Sequence, residues 1–171
     1  QIAYTVLDFN TFEGTYVNLA HTRARGIEVA LEARPEPHLH LLGQYTFLDG
    51  EILDSPSGFD PVYAEGESLL RRPRHQGSVD LAWGTSRLQA FATAALRGAT
   101  LDVEPNFGTF GGLFENDGYS MVTVGGAWTI VPQITAFARV VNAFDRRYED
   151  TLGYPALGRT AYVGLRIAAR R

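Results

Sequence analysis

The stretch "QITAFARVVNAFDRRYED" occupies Gln133–Asp150. Its first half alternates. Ile134, Ala136, Ala138 and Val140 fall on one face, and Thr135, Phe137 and Arg139 fall on the other. A period of two over this length predicts a β-strand with one apolar face. After Val141 the alternation yields to Asn142, Ala143 and a mostly charged run: Phe144, Asp145, Arg146, Arg147, Tyr148, Glu149 and Asp150. Such a charged and aromatic ending is either a site or a structural device at the end of the strand.

The same period recurs along the chain. Ile27, Val29 and Leu31 lie opposite Glu28, Ala30 and Glu32. Val79, Leu81 and Trp83 lie opposite Ser78, Asp80 and Ala82. Ala161, Val163, Leu165 and Ile167 lie opposite Thr160, Tyr162, Gly164 and Arg166. About eight strands follow, roughly 1–8, 15–34, 38–53, 71–84, 87–102, 118–130, 133–149 and 159–171. Several exceed the usual length of about 5–6 residues for a soluble strand.

The connections sharpen the prediction. Those at 34–38, 84–87 and 130–133 are short, whereas those at 53–69, 102–118 and 150–158 are long and rich in Gly, Pro and Asp. Strict alternation of short and long fits an up-and-down antiparallel meander with all its tight turns at one end, as in outer-membrane barrels. Alternation alone leaves two other architectures open: a small independent barrel of about eight strands, and a soluble barrel with an apolar interior.

Composition excludes several classes. The 171 residues hold no cysteine, which removes disulfides, cysteine zinc sites and thiol nucleophiles. A formal net charge of −4 gives no general attraction to nucleic acid. No apolar run reaches the roughly 18 residues of a membrane helix, a criterion that says nothing about membrane-crossing strands. The opening "QIAYTVLDFN" has neither the basic nor the apolar region of a signal peptide.

Three segments carry a family resemblance: "HTRARGIEVALEAR" (21–34), "SLLRRPRHQGSVDLAW" (68–83) and "YSMVTVGGAWTIVPQITAFARVVNAFDRRYEDTLGYPALGRTAYVGLR" (119–166). In order, they resemble an Arg-Gly-[Ile/Val]-Glu strand, a Leu-Arg-Arg-Pro-Arg-His run, and a C-terminal signature built on Asn-[Ala/Leu]-Phe-Asp-x-x-Tyr and Gly-Tyr-Pro-x-x-Gly-Arg. All three are similar to motifs of TonB-dependent outer-membrane receptors, in the branch that takes up cobalamin and siderophores. The resemblance implies an all-β chain forming the C-terminal part of a barrel of about 22 strands. It implies a plug domain and TonB contact lying before Gln1. The location implied is the outer membrane of a Gram-negative bacterium. Membrane lipid, a small nutrient such as a metal chelate, and the TonB system are the implied partners. It implies uptake without covalent chemistry and without a cofactor. Barrels of this family usually end on an aromatic residue, whereas this chain ends "IAARR".

The resemblance assigns structural roles to Arg25, Gly26 and Glu28, to Arg72, Pro73 and Arg74, to Asn142, Phe144, Asp145 and Tyr148, and to Gly158 and Arg159. Asn142 and Asp145 are expected to fix the backbone where the strand leaves the membrane. Phe144 and Tyr148 suit an aromatic interfacial belt, and Asp145, Arg146, Arg147 and Glu149 can pair among themselves or with neighbouring strands. Aromatic residues on the long loops are candidate ligand contacts: Tyr63, Phe107, Phe110, Phe114 and Tyr154, with Tyr119 nearby. Arg71, Arg72, Arg74 and His75 read as cations at the membrane rim, able to meet lipid phosphates or lumenal carboxylates. Glu28 and Glu32 face the lumen, where Arg139 and Arg166 are candidate partners. The acidic residues Asp49, Glu51, Asp54, Asp60, Glu65 and Glu67 lack calcium-loop spacing and read as a solvated loop. His21, His38, His40 and His75 form no metal-ligand pair, and no catalytic triad or paired carboxylate frame is present.

Overall fold

The computed structural model describes residues 3–8, 10–18, 21–55, 61–104 and 106–169. Among the described residues thirteen strands form: β1 (Ala3–Leu7), β2 (Gly14–Asn18), β3 (His21–Glu36), β4 (Leu39–Asp54), β5 (His75–Gly84), β6 (Leu88–Arg97), β7 (Thr100–Glu104), β8 (Gly108–Asn116), β9 (Tyr119–Val131), β10 (Ile134–Val141), β11 (Glu149–Thr151), β12 (Tyr154–Pro155) and β13 (Thr160–Ile167). A 3-10 turn spans Pro61–Tyr63, and no α-helix occurs among the described residues. Seven strands make the main antiparallel sheet in the order β13-β10-β9-β6-β5-β4-β3. Every neighbour in that sheet follows in chain order once the side hairpins β7–β8 and β11–β12 are set aside. It is a pure meander.

The ladder register sorts side chains onto two faces, because directly paired residues point the same way. One face carries Ile27, Val29 and Leu31, then Leu41, Val79, Leu81, Trp83, Val124, Trp128, Val163, Leu165 and Ile167. The other carries Glu28, Gln44, Asp80, Gln89, Thr93, Arg139 and Arg166. A hollow of about 700 Å³ lies on the polar side, bordered by Arg34 and His40 at one edge of the sheet and by Arg139 and Arg166 at the other. Residues of the first and last strands line one hollow, so the sheet curves and its polar face is concave.

The convex apolar face is uncovered. Leu31 is 71% exposed, Val163 83% and Ile167 74%. Only Ile52, Val62 and Leu69 form a buried apolar core among the described residues, and they lie under the first long loop. A soluble barrel places its apolar face inside, the opposite of this arrangement. Trp83 and Trp128 mark the short-turn border of the apolar band, and Tyr45 and Phe47 mark the other. From Leu39 to Phe47 the band covers eight strand steps, about 20 Å once a tilt near 40° is allowed for.

Two aromatic rings on the concave face lie over glycines. An added Cβ at Gly125 would stand 2.6 Å from the Phe91 ring, and one at Gly164 would stand 2.5 Å from Phe137. Each ring covers backbone that a side chain would otherwise shield, which restores the packing a strand glycine gives up.

The structure departs from the sequence expectations in several places. The strand expected over 133–149 stops at Val141, because Asn142 turns into the left-handed region (φ 53°). The strand expected from 71 starts at His75, since Arg71 is also left-handed (φ 57°). The strand expected over 15–34 is divided into β2, which pairs with β1, and β3, which pairs with β4; residues 19–20 lie outside those described. The expected loop 102–118 is instead mostly a hairpin. Arg97 pairs with Tyr119 and Thr100 with Asn116, so β7–β8 continues the β6–β9 register beyond the sheet. The ladder breaks at Gly98 and Gly118, where a Cβ would stand 2.9 Å from His75 O and 2.7 Å from Arg97 O, and its register shifts again between Val103 and Glu104.

Candidate functional site

The three long connections meet at one end of the sheet, and a single carboxylate joins them. Asp102, on β7, is fully buried. It accepts from Arg71 Nε at 2.8 Å, from Val103 N at 2.8 Å and from Leu152 N at 3.0 Å. Arg71 N also donates to Leu101 O at 2.8 Å. The first, second and third long connections are thereby tied at one point. Burial pushes the Asp102 carboxyl upward, but the Leu152, Arg71 and Val103 donors outweigh it and hold the group below the usual carboxylate range.

A second tie lies nearer the sheet. Tyr119 donates to Asp150 at 2.6 Å, and Arg97 donates to the same oxygen at 3.1 Å. The Tyr119 and Tyr148 rings stack at 4.0 Å and 28°. The Tyr148 hydroxyl points to Met121 Sδ at 3.6 Å. Asn116 Nδ2 donates to Glu149 O at 3.0 Å.

The exit of β10 is organised by Asn142, which is 1% exposed. Its Nδ2 donates to Arg146 O at 2.8 Å and to Leu157 O at 3.4 Å, and its Oδ1 accepts from Arg146 N at 2.8 Å. Asp145 is left-handed as well (φ 55°) and accepts from Arg159 N at 2.8 Å. A Cβ at position 158 would stand 2.8 Å from Asp145 Oδ1, so glycine there lets the carboxylate reach that amide.

Two hollows open among these connections. One, about 740 Å³, is lined by Glu115–Gly118, Asp145–Glu149 and Pro155–Gly158 segments. The other, about 590 Å³, is lined by Arg71, Val103, Glu104, Asp150, Leu152 and Tyr154. Of the aromatic residues expected to contact ligand, Tyr154 borders the second of these hollows. Phe107 stands at the hairpin tip, 71% exposed, its backbone held by Glu104. Phe114 is 44% exposed on β8. Tyr63 is half-buried in the 3-10 turn. The side chain of Phe110 lies outside the described residues.

Several expected pairings differ. Tyr148 does not join an outer belt; it turns in against Tyr119 because Met121 and the Tyr119 ring offer it a contact surface. Phe144, 79% exposed, does stand outside. Among the described residues, Asp145, Arg146, Arg147 and Glu149 form no ion pairs. Asp145 and Glu149 instead accept backbone amides, Glu149 from Gly153 N at 2.6 Å. Glu32 pairs with Arg34 and His40, both at 2.9 Å, and Arg139 stacks over Tyr162 at 4.5 Å. Those local partners are adjacent in the sheet, so the glutamate does not reach Arg139 or Arg166.

The remaining motif residues occupy the ladder as follows. Arg25 is cross-strand from Asp49, and a Cβ at Gly26 would collide with Phe47 O. Glu28 faces the concave side. Arg74 donates to Asp49 at 2.6 Å, and Arg23 pairs with Glu51. Asp54 meets His21 at 3.4 Å. Asp49 and Glu51 are thus engaged by arginines and Asp54 by a histidine ring, and Asp60 lies outside the described residues. Asp102, Asp150, Arg97 and Asn116 had no local sequence signal beyond one: Asp102 is a lone carboxylate between Leu101 and Val103.

A curved meander with a polar hollow inside, a bare apolar belt outside and its long connections gathered at one end is a piece of the wall of a large transmembrane β-barrel. Comparison agrees. The family model "TonB dependent receptor-like, beta-barrel" matches residues 1–143, and the chain belongs to that family. The siderophore receptor PiuA of Acinetobacter baumannii superposes with a TM-score of 0.74 at 15% identity, over 90% of this chain and 23% of that one. The ferric yersiniabactin uptake receptor FyuA of Yersinia pestis gives 0.73 at 20% identity, over 90% and 24%. The pyoverdine receptor FpvA of Pseudomonas aeruginosa gives 0.73 at 16%, over 98% and 25%. The chain therefore spans about a quarter of the length of these structures, as part of a larger barrel. The family is one of transport receptors, not enzymes.

Proposed function

We propose that this chain is part of the wall and outer mouth of a receptor that takes up a ferric siderophore, or a chelate of similar size such as cobalamin, across a Gram-negative outer membrane. The observation that carries the reading is the inverted sheet, with apolar side chains on the convex side and polar ones on the concave side. That arrangement suits hydrocarbon outside and water inside. The structures it resembles support a siderophore as the nutrient. The long-connection end supplies the ligand-facing surface, with Tyr154 at a hollow and Phe107 and Phe114 exposed above it. Energised release is assigned to a plug and the TonB system, neither of which these residues provide.

The test is uptake of radio-iron chelates by cells carrying the complete receptor. Uptake should require a proton-motive force, and removal of the β7–β8 hairpin from Thr100 to Asn116 should abolish it. A hairpin-deleted receptor that reaches the outer membrane and transports at the normal rate overturns the reading. So does a chain that purifies without detergent.

A further inference from the structure

The segment that follows Arg71 takes no part in the loop ties, yet its place in the ladder is well defined. On the outward face, Arg23 shares a rung with Glu51, Arg25 with Asp49, Ile27 with Phe47 and Val29 with Tyr45. Phe47 in turn pairs with His75. Charge gives way to hydrocarbon between two consecutive outward rungs, Arg25–Asp49 and Ile27–Phe47, about 7 Å apart along the strand. On the charged side, Arg74 donates to Asp49 and its guanidinium lies 5.9 Å from the Phe47 centroid. On the apolar side, the Tyr45 hydroxyl lies 2.7 Å from His75 Nδ1, and the Phe47 and His75 rings are 5.3 Å apart.

The charges along this border do not balance. Arg23 and Glu51 neutralise one another. Asp49 stands beside Arg25 and Arg74 and, among the described residues, pairs with Arg74 alone. Arg25 and Arg72 are exposed and form no ion pair among the described residues. The border therefore carries excess guanidinium directly above an aromatic ledge. All 15 basic residues of the chain are arginine, the side chain whose planar fork binds phosphate through two parallel hydrogen bonds. Headgroup phosphates sit just beyond the hydrocarbon core, the depth at which these groups stand.

Resting on the reading of the convex face as lipid-facing, we propose that Arg25 and Arg74, with Arg72 beside them, bind the phosphate of a membrane lipid headgroup on the long-connection side. Tyr45, Phe47 and His75 take the apolar part of the same lipid. The exposed Arg74–Asp49 pair is weak enough to be shared, since surface ion pairs are screened by water and contribute little.

The full-length receptor, purified in detergent, is titrated with dioleoyl phosphatidic acid, with dioleoylglycerol, and with inorganic phosphate, and bound lipid is counted by native mass spectrometry. Phosphatidic acid should bind and dioleoylglycerol should not. The double variant Arg25→Gln/Arg74→Gln should bind about tenfold more weakly, and Asp49→Asn, which frees Arg74 and removes the negative charge across the rung from Arg25, should bind several-fold more tightly. Millimolar inorganic phosphate should leave lipid binding unchanged. Equal binding of dioleoylglycerol overturns the proposal, as does a double variant that binds like the parent. Full competition by inorganic phosphate makes this a free-anion site and overturns it too. Heat-modified migration on gels reports folding. If the double variant does not fold, Asp49→Asn still decides, because absence of tightening refutes the proposal. Failure of the lipid-facing reading itself is seen separately, as release of the receptor from membranes without detergent.

Discussion

Asn142→Ala should release the β10–β13 connection while leaving the sheet intact. The Asn142 side chain makes two hydrogen bonds at 2.8 Å and one at 3.4 Å in a buried position. The two good bonds contribute about 1 kcal/mol each, and the long one little. Alanine at φ 53° adds about 1 kcal/mol of backbone strain that asparagine tolerates better. The sum is about 3 kcal/mol, or on the order of a hundredfold in the population of the opened connection. Trypsin provides the assay, because Arg146 and Arg147 are exposed side chains within backbone that Asn142 holds closed. In the outer-membrane-embedded receptor, cleavage after these arginines should accelerate by roughly that factor under limiting protease. Asn142→Gly lacks the same hydrogen bonds but not the left-handed freedom, so its acceleration should be about fivefold smaller. If alanine and glycine cleave alike, the strain component is wrong. If neither cleaves faster than the parent, Asn142 does not hold the connection.

Three other perturbations test separate parts of the structure. Gly158→Ala places a Cβ 2.8 Å from Asp145 Oδ1, so it should displace the carboxylate from Arg159 N and destabilise the same connection by about 1–2 kcal/mol, read by the same proteolysis. The pH response of the Asp102 tie follows from its lowered carboxyl: its contribution is complete above the unfolded carboxylate value near 3.9 and is lost as pH falls through the lower folded value. Hydrogen exchange at the Val103 and Leu152 amides should therefore stay protected down to about pH 4 and rise only below it; loss of protection near pH 6 would contradict the geometry. Val163→Arg, midway along β13 on the convex face and 83% exposed, should cost about 2–4 kcal/mol in folding into bilayers, whereas the same change in a water-facing position would cost almost nothing.

Much of this architecture can be read along the chain, because strand alternation is local. Residues two apart share a face, so Ile27, Val29 and Leu31 declare one side and Glu28 and Glu32 the other without any knowledge of the partners. Turn positions are equally local: the tight connections at 37–38, 85–87 and 132–133 fall where Pro, Gly and Ser interrupt the period. The motif residues Asn142, Asp145, Gly158 and Arg159 could be named in advance, though the bonds joining them could not.

Tertiary structure decided the rest. Alternation is symmetric between the two faces, so it cannot say which is inside. That answer comes from curvature, the sum of small rotations between seven strands, which has no signature in any single strand. The β7–β8 hairpin was hidden because its glycines and asparagines resemble a loop until the register of β6 and β9 carries through them. Asp102 and Leu152 are fifty residues apart, and Tyr148 chooses the inner side only because Tyr119 waits there. Such contacts depend on which chain ends the meander brings together, so the wall of this barrel is written in the sequence while the clamp at its mouth exists only once the sheet has curved.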